Sequence, residues 1–279
     1  MKKTLLLIIF SISFTKISAC DCDPPQLALE FQESKHVFLG KVVEKKYSLD
    51  NNSFKIIFNV FEHFKKGINP SLLEFNFENK KELTSCDWEI NLNEKWIVFV
   101  KELNGKLTFS GICSNSSRIL ENKYPTFVKK ISKNWRNFNI DKFIFSSLDG
   151  EFETSFPDLN LDSLITKYSK KNYGEEYGES IANIIVDINR NGEIIQTVIN
   201  HHNKKIKPLE YDSIFHLYLY YPLKEFEPVT EFQKDMINEV RKIKKWNPVL
   251  IRNTNISVPY RKHLQFQKIK DSIYRHYKY

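Results

Sequence analysis

The placement of the cysteines is the feature that most constrains the fold of this chain. All four of them, Cys20, Cys22, Cys86 and Cys113, lie in the first half of the 279 residues. An even number of cysteines in an exported chain is typical of paired disulfides. Structural zinc sites usually carry C-x2-C pairs, which these spacings lack. The sequence therefore predicts a first half held by disulfides, a second half without them, and no metal site.

The segment before Cys20 predicts export. Lys2 and Lys3 precede the apolar run "LLLIIFSISF", and small residues follow it, which is the order of a secretory signal peptide. The run is shorter than the roughly 20 apolar residues that a membrane-spanning helix needs. We expect residues 1–19 to be removed and the mature protein to be periplasmic, cell-envelope associated or secreted.

Cys20 itself has two interpretations. The run Ile17-Ser18-Ala19-Cys20 fits a lipoprotein signal whose cysteine takes a lipid, and it also fits cleavage after Ala19 that leaves Cys20 for a disulfide. Lipidation would leave three thiols, one of them without a partner, so the parity of the cysteines favours a disulfide. A membrane is an expected partner only if Cys20 is lipidated.

Charge and motifs argue against several functions. The formal net charge is +8, and Lys and Glu are interspersed along the chain rather than gathered in one basic stripe, so we expect no nucleic-acid partner. The patterns G-x-S-x-G, H-E-x-x-H and the phosphate loop do not occur. Adjacent His201 and His202 would point to opposite faces of a strand. We expect no enzyme activity, no catalytic residue and no cofactor.

The first half predicts short antiparallel strands. Alternating or β-branched runs are "VFLGKVV", "FKIIFNVFEHF", "LLEFNF", "EKWIVFVKEL" and "KLTFSGIC". Asn104-Gly105 lies between the last two and predicts a tight hairpin turn. Five or six strands with little helix indicate a small barrel or sandwich.

With "CDCDPP" at the mature N-terminus, "VFLGKVV", "FNVFEHFKKG", Cys86 and "GICSNS" in this order, residues 20–118 resemble the netrin-like module of the tissue inhibitors of metalloproteinases. The resemblance implies a five-stranded OB-like β-barrel and the disulfides Cys20–Cys86 and Cys22–Cys113. It also implies an alternative function, metalloprotease inhibition through a free Cys20 amine. Asp21 opposes that alternative, because a charge is costly to bury in an apolar pocket.

The rest of the chain predicts a helical connector over 119–155, with a helix from about Tyr124 to Trp135, and then a second domain. Asn191-Gly192 lies between two β-branched runs and predicts a hairpin. Apolar spacing predicts a helix from Glu231 to Trp246, which Asn247-Pro248 ends. Residues 200–230 form a Tyr-rich insertion of undecided structure.

With "VDINRNGEI", Trp246-Asn247-Pro248 and "SVPYRKHLQF", residues 156–267 resemble the C-terminal domain of the energy-transducing protein TonB. The resemblance implies an α/β sandwich with a three-stranded antiparallel sheet, leaving 268–279 as a tail. The predicted class of the whole chain is thus α+β in two domains.

An edge strand of the second sheet is the predicted binding site. The last strand contains Pro259, Arg261 and Lys262, which oppose pairing with a further strand. The run from Ile194 through Thr197 to Ile199 contains no proline or charged residue. We therefore expect Ile194, Thr197 and Ile199 to bind an extended segment of an envelope protein or peptide by strand addition. The predicted function is a non-enzymatic exported binding or scaffold protein; the alternatives are the inhibitor and a lipoprotein lipidated at Cys20.

Overall fold

The computed structural model describes residues 24–79, 88–119, 123–146, 152, 161–174, 179–201, 209–251, 254 and 256–277. The predicted mixed α+β class is confirmed, with more residues in strands than in helices. The chain divides into two compact units, Met1–Ser132 and Lys133–Tyr279. The domain boundaries at 118 and 156 stay predictions.

The first unit is built on one curled antiparallel sheet, which forms a half-barrel. Its elements are α1 (Leu27–Glu33), β1 (His36–Tyr47), β2 (Ser53–His63), β3 (Leu72–Glu78), β4 (Lys95–Leu103), β5 (Lys106–Thr108), β6 (Ser117–Arg118) and α2 (Lys123–Asn134). The strand order is β3-β2-β1-β4-β5, and the short β6 also pairs with β4. The β1–β2 register shifts at Leu39/Gly40 and at Val42/Glu44. Such bulges bend a strand and increase its twist, which accounts for the curl.

Aromatic side chains fill the concave side of this sheet. The ring of Phe75 lies 5.9 Å from that of Phe58 and 4.9 Å from that of Phe109, both edge to face. Trp88 and Trp96 extend the cluster, with ring centroids 5.7 Å apart. Edge-to-face packing contributes about 0.5–1.5 kcal/mol per pair beyond area burial, so the core of this unit depends on its phenylalanines.

Local predictions for the first unit had mixed outcomes. The Asn104-Gly105 hairpin is confirmed, because both residues have positive φ (51° and 74°) and Leu103 faces Lys106. The helix expected from about Tyr124 to Trp135 is confirmed as α2, within one residue at each end. Helix α1 was not predicted. It buries Leu29 and Phe31.

The second unit holds a larger sheet than predicted. Its elements are β7 (Phe145–Ser146), α3 (Leu161–Thr166), β8 (Glu179–Ile188), β9 (Ile194–Ile199), β10 (Tyr211–Asp212), β11 (Leu217–Tyr218), α4 (Glu231–Lys242), β12 (Val249–Leu250), β13 (Ser257–Val258), β14 (Tyr260–Ile269) and β15 (Ser272–Tyr277). The sheet has the order β15-β14-β8-β9, with β7 parallel to β14.

The predicted three-stranded antiparallel sheet was therefore wrong: five strands pair, one of them in parallel. Strand β15 lies in the segment that the sequence assigned to a tail, 268–279. Its turn was hidden because Lys270 adopts φ 54°, a conformation that turn rules reserve mainly for Gly and Asn. In the insertion, β10 and β11 form a short hairpin that buries Phe215, whose ring lies 5.0 Å from that of Phe138.

The hairpin at Asn191-Gly192 is confirmed, with Gly192 at φ 81° and Ile188 facing Ile194. Helix α4 begins at Glu231 as predicted, after the N-cap Thr230, but it ends at Lys242 rather than at Trp246. Instead, Lys245 forms an isolated antiparallel β-bridge with Glu193 through the backbone, and the Trp246 amide donates to the Gly192 carbonyl at 2.8 Å. These backbone groups pair with the hairpin instead of continuing the helix. The spacing of apolar residues carries no information about such a partner.

Candidate functional site

Strand β9 is an edge strand of the sheet in the second unit, and in the described part of the chain it pairs with β8 alone. The Asn200 amide donates to the Asn183 carbonyl at 2.8 Å, and the next register pairs are Ile199 with Ile184 and Thr197 with Val186. Hydrogen-bonded and non-hydrogen-bonded pairs alternate in an antiparallel ladder. The backbone N–H and C=O groups of Thr197 and Ile199 therefore point away from β8, toward the open edge.

A groove of about 480 Å³ follows this edge, between β9, the end of α4 and residues 223–225. Two of the predicted binding residues, Ile194 and Thr197, line it. The third, Ile199, does not: its side chain is 1% exposed and belongs to the core. For Ile199 only the backbone lies at the predicted site, because side chains on a strand point out of the sheet whereas its hydrogen-bonding groups lie within it.

A segment of the insertion without regular secondary structure, residues 221–227, borders the groove; we call it the strap. The Leu223 amide donates to Gln196 Oε1 at 3.2 Å. Further along, the Glu225 carboxylate forms an ion pair with Arg241 of α4. His201 Nε2 lies 3.1 Å from the Glu227 carbonyl oxygen. The strap thus runs alongside β9 in the same direction, and each of these contacts involves a side chain.

Arg241 connects the strap to the strand. Besides pairing with Glu225, its guanidinium lies 3.4 Å from the Thr197 carbonyl oxygen, at the long limit for a hydrogen bond. Sequence reasoning missed Arg241, Glu225 and Gln196 as site residues. The only available signal was the basic last turn of α4, and basic residues are common at helix ends because they complement the helix dipole.

A buried ion pair anchors the sheet behind this edge. Arg261 Nε and Nη2 donate to the two carboxylate oxygens of Asp187 at 2.7 and 2.8 Å, and neither side chain is more than 5% exposed. Gln196 of β9 stands opposite Asp187 in the register. Burial and the Asp187 charge raise the pKa of nearby Tyr220. Both charges are compensated, so this pair links β8 to β14 and holds no vacant reactive group.

In the first unit, Glu30 holds the loop that follows Cys113. Its Oε1 accepts from Ser114 Oγ at 2.6 Å, and its Oε2 accepts from the backbone amide and the Nδ2 of Asn115 at 2.6 and 2.7 Å. Glu30 is fully buried on α1, and burial raises the pKa of its carboxyl above the ordinary 4.5 despite these donors. No sequence pattern predicted this contact, which joins residues far apart in the chain.

The predicted disulfide residues are described only in part. Cys113 is not a free thiol. Cys20, Cys22 and Cys86 lie outside the described residues, and the pairing Cys20–Cys86 with Cys22–Cys113 stays a prediction.

The described residues contain no cluster of three or more His, Cys, Asp or Glu side chains that could hold a metal ion. Within the same residues, no helix is long and apolar enough to cross a membrane. Comparison with protein-family models and with curated proteins found no match for this chain.

Proposed function

We propose that this chain is a non-enzymatic, exported cell-envelope protein that binds an extended segment of a partner protein by strand addition at β9. The observation that carries the proposal is the orientation of Thr197, whose backbone groups face away from β8 along a groove of about 480 Å³. Strand addition derives its affinity from main-chain hydrogen bonds and its selectivity from alternate side chains. The affinity is expected to be modest.

The family relationships are part of the proposal. A netrin-like OB-type barrel for the first unit is supported by the order β3-β2-β1-β4-β5 and by contact between β3 and β5, as in a partly open five-stranded barrel. A TonB C-terminal-like origin for the second unit is supported by the β8–β9 hairpin, the following α4 and the return strand β14. Helix α4 packs on β8 and β9, as the sandwich requires.

Thr197→Pro tests strand addition at one backbone group. Proline has no N–H to donate, yet it is tolerated on edge strands where that group faces outward. Pull-down from envelope extracts with Thr197→Pro as bait should lose the partner that wild type recovers. The matched control Thr197→Val keeps both the amide and the β-branched shape, and it should retain the partner. Equal recovery by Thr197→Pro, with the fold intact by circular dichroism, would contradict the proposal.

The two alternative functions depend on the chemistry of Cys20. Inhibition of a metalloprotease requires a free α-amine at that residue, and a lipoprotein requires an acyl chain on it. The intact mass of the mature protein, with and without reduction, distinguishes an acylated Cys20 from a free N-terminus with disulfides. An acylated product would contradict the inhibitor and would show that the protein is anchored to a membrane.

A further inference from the structure

The strap presents two kinds of side chain to the groove. Leu223 and Glu225 both line it, whereas Lys224, between them, does not. Residues two apart in an extended chain point to the same side. The groove is therefore already in contact with an apolar side chain followed two positions later by a carboxylate.

The charges of the groove favour an acidic occupant. Arg241 and Lys244 are its cationic lining residues, and Glu225 of the strap is the only carboxylate among the lining residues. Without the Glu225 side chain, the remaining wall would carry two positive charges and no negative one. The side chains of Arg241 and Glu225 are 43% and 63% exposed, so an incoming carboxylate can reach the guanidinium from solvent.

The strap is held loosely enough to be exchanged. Its described contacts include the Leu223 amide on Gln196 Oε1, the Glu225–Arg241 ion pair, the contacts of His201 with Glu227 and Phe226, and a long contact of Arg261 with the Tyr221 carbonyl at 3.4 Å. None of these is a rung of a backbone ladder, since β9 pairs with β8 alone among the described strands. Exposed ion pairs contribute little net free energy. An incoming strand, by contrast, gains main-chain hydrogen bonds at Thr197 and Ile199.

We propose that the β9 groove selects an extended segment with an apolar side chain followed two positions later by Asp or Glu, and that Glu225 is the resident competitor for Arg241. This inference rests on the strand addition proposed above. The partner's carboxylate replaces that of Glu225 on Arg241, and its apolar side chain takes the place of Leu223. The partner's backbone then pairs with the outward groups of β9.

Labelled synthetic peptides test this selectivity. The probes are nine-residue Thr/Val peptides with a central Leu-Thr-Glu, and the same peptide with Gln or Lys in place of Glu, measured by fluorescence anisotropy. Wild type should bind the Glu peptide about two- to fivefold more tightly than the Gln peptide, the range expected for an exposed ion pair. The Lys peptide should bind most weakly. The preference for Glu should shrink as salt is raised.

Three variants assign the effect to residues. Glu225→Gln removes the competitor and should strengthen binding of the Glu peptide, whereas Arg241→Gln should abolish the preference for Glu over Gln. Glu231→Gln is the matched control, since Glu231 pairs with Lys234 on α4 and does not line the groove. It should behave as wild type.

The outcomes separate this inference from the proposed function. If Glu and Gln peptides bind equally and Thr197→Pro abolishes both, the acidic preference is overturned and strand addition stands. If the Glu peptide is preferred but still binds to Thr197→Pro, strand addition is overturned. If none of the peptides binds to wild type or to Glu225→Gln, both are overturned.

Discussion

The two Asn-Gly hairpins, one in each unit, use the same dipeptide under different constraints. A Cβ on Gly105 would meet nothing within 4 Å, whereas a Cβ on Gly192 would lie 1.8 Å from the carbonyl oxygen of Trp246. Both glycines have positive φ, 74° and 81°. The first glycine therefore serves only the turn, while the second also allows residues 245–246 to approach the hairpin.

The two units also bury a carboxylate in different ways. Glu30 of the first unit is held directly by the neutral donors of Ser114 and Asn115, and its pKa is raised by burial. Asp187 of the second unit is held by a bidentate Arg261. A buried charge needs either hydrogen bonds or a counter-charge. The loss of stability on removing the partner should therefore differ between Glu30 and Asp187.

Loss of Arg261 should have the largest effect. Arg261→Met leaves Asp187 buried without its cation, and breaking a buried pair in this way costs about 3–5 kcal/mol. The free energy of unfolding from urea titration should fall by that amount. The double variant Asp187→Leu, Arg261→Met removes both charges and should recover most of the stability. A single variant as stable as wild type would show that the pair does not anchor the sheet.

The hairpin comparison gives the next effect. Gly105→Ala should cost only the left-handed backbone, about 1–2 kcal/mol. Gly192→Ala carries the same backbone cost and adds overpacking against Trp246, about 1–3 kcal/mol more. Both variants replace a positive-φ glycine that follows an asparagine, so a larger loss for Gly192→Ala in thermal or urea unfolding reports the close approach of Trp246. Equal destabilisation would contradict the close approach at Gly192.

The smallest expected effect is a pH dependence at Glu30. Because burial raises its pKa in the folded protein, the stabilisation from holding the proton is full below the unfolded pKa, near 4.5. It is lost as the pH rises through the folded pKa. Wild type should therefore lose stability relative to Glu30→Gln as the pH is raised from 4 to 7.

At neutral pH, Glu30→Gln places an amide NH2 against the Asn115 donors, which costs about 1–3 kcal/mol. The raised pKa is tested by how the stability difference between wild type and Glu30→Gln changes with pH, and not by its value at neutral pH. Glu44→Gln, at an exposed position of β1, is the matched control and should change stability by about 0.5 kcal/mol or less. A stability advantage of wild type over Glu30→Gln that increases with pH would contradict the raised pKa.

Prediction from sequence worked best where one short segment determines its own conformation. Asn104-Gly105 and Asn191-Gly192 were identified because few residues tolerate positive φ, and α2 followed from the periodicity of its apolar residues. The β15 strand was missed because its turn uses Lys270 at positive φ. The helix ending at Lys242 was overextended because Trp246 is buried although it lies beyond the helix, and apolar spacing reports burial alone.

The candidate site likewise combines features that one short segment determines with features that depend on distant parts of the chain. The sequence by itself determined that Ile194–Ile199 is a strand of a hairpin, because β-branched residues flank a turn that only a few dipeptides form. It could not determine that the Thr197 backbone faces outward, since the direction depends on register with Asn183 and on a shift at Asp187/Ile188. Nor could it bring Glu225 to Arg241 or Asp187 to Arg261. Those contacts join residues distant in sequence, and only the packing of the whole sheet decides which distant side chains meet.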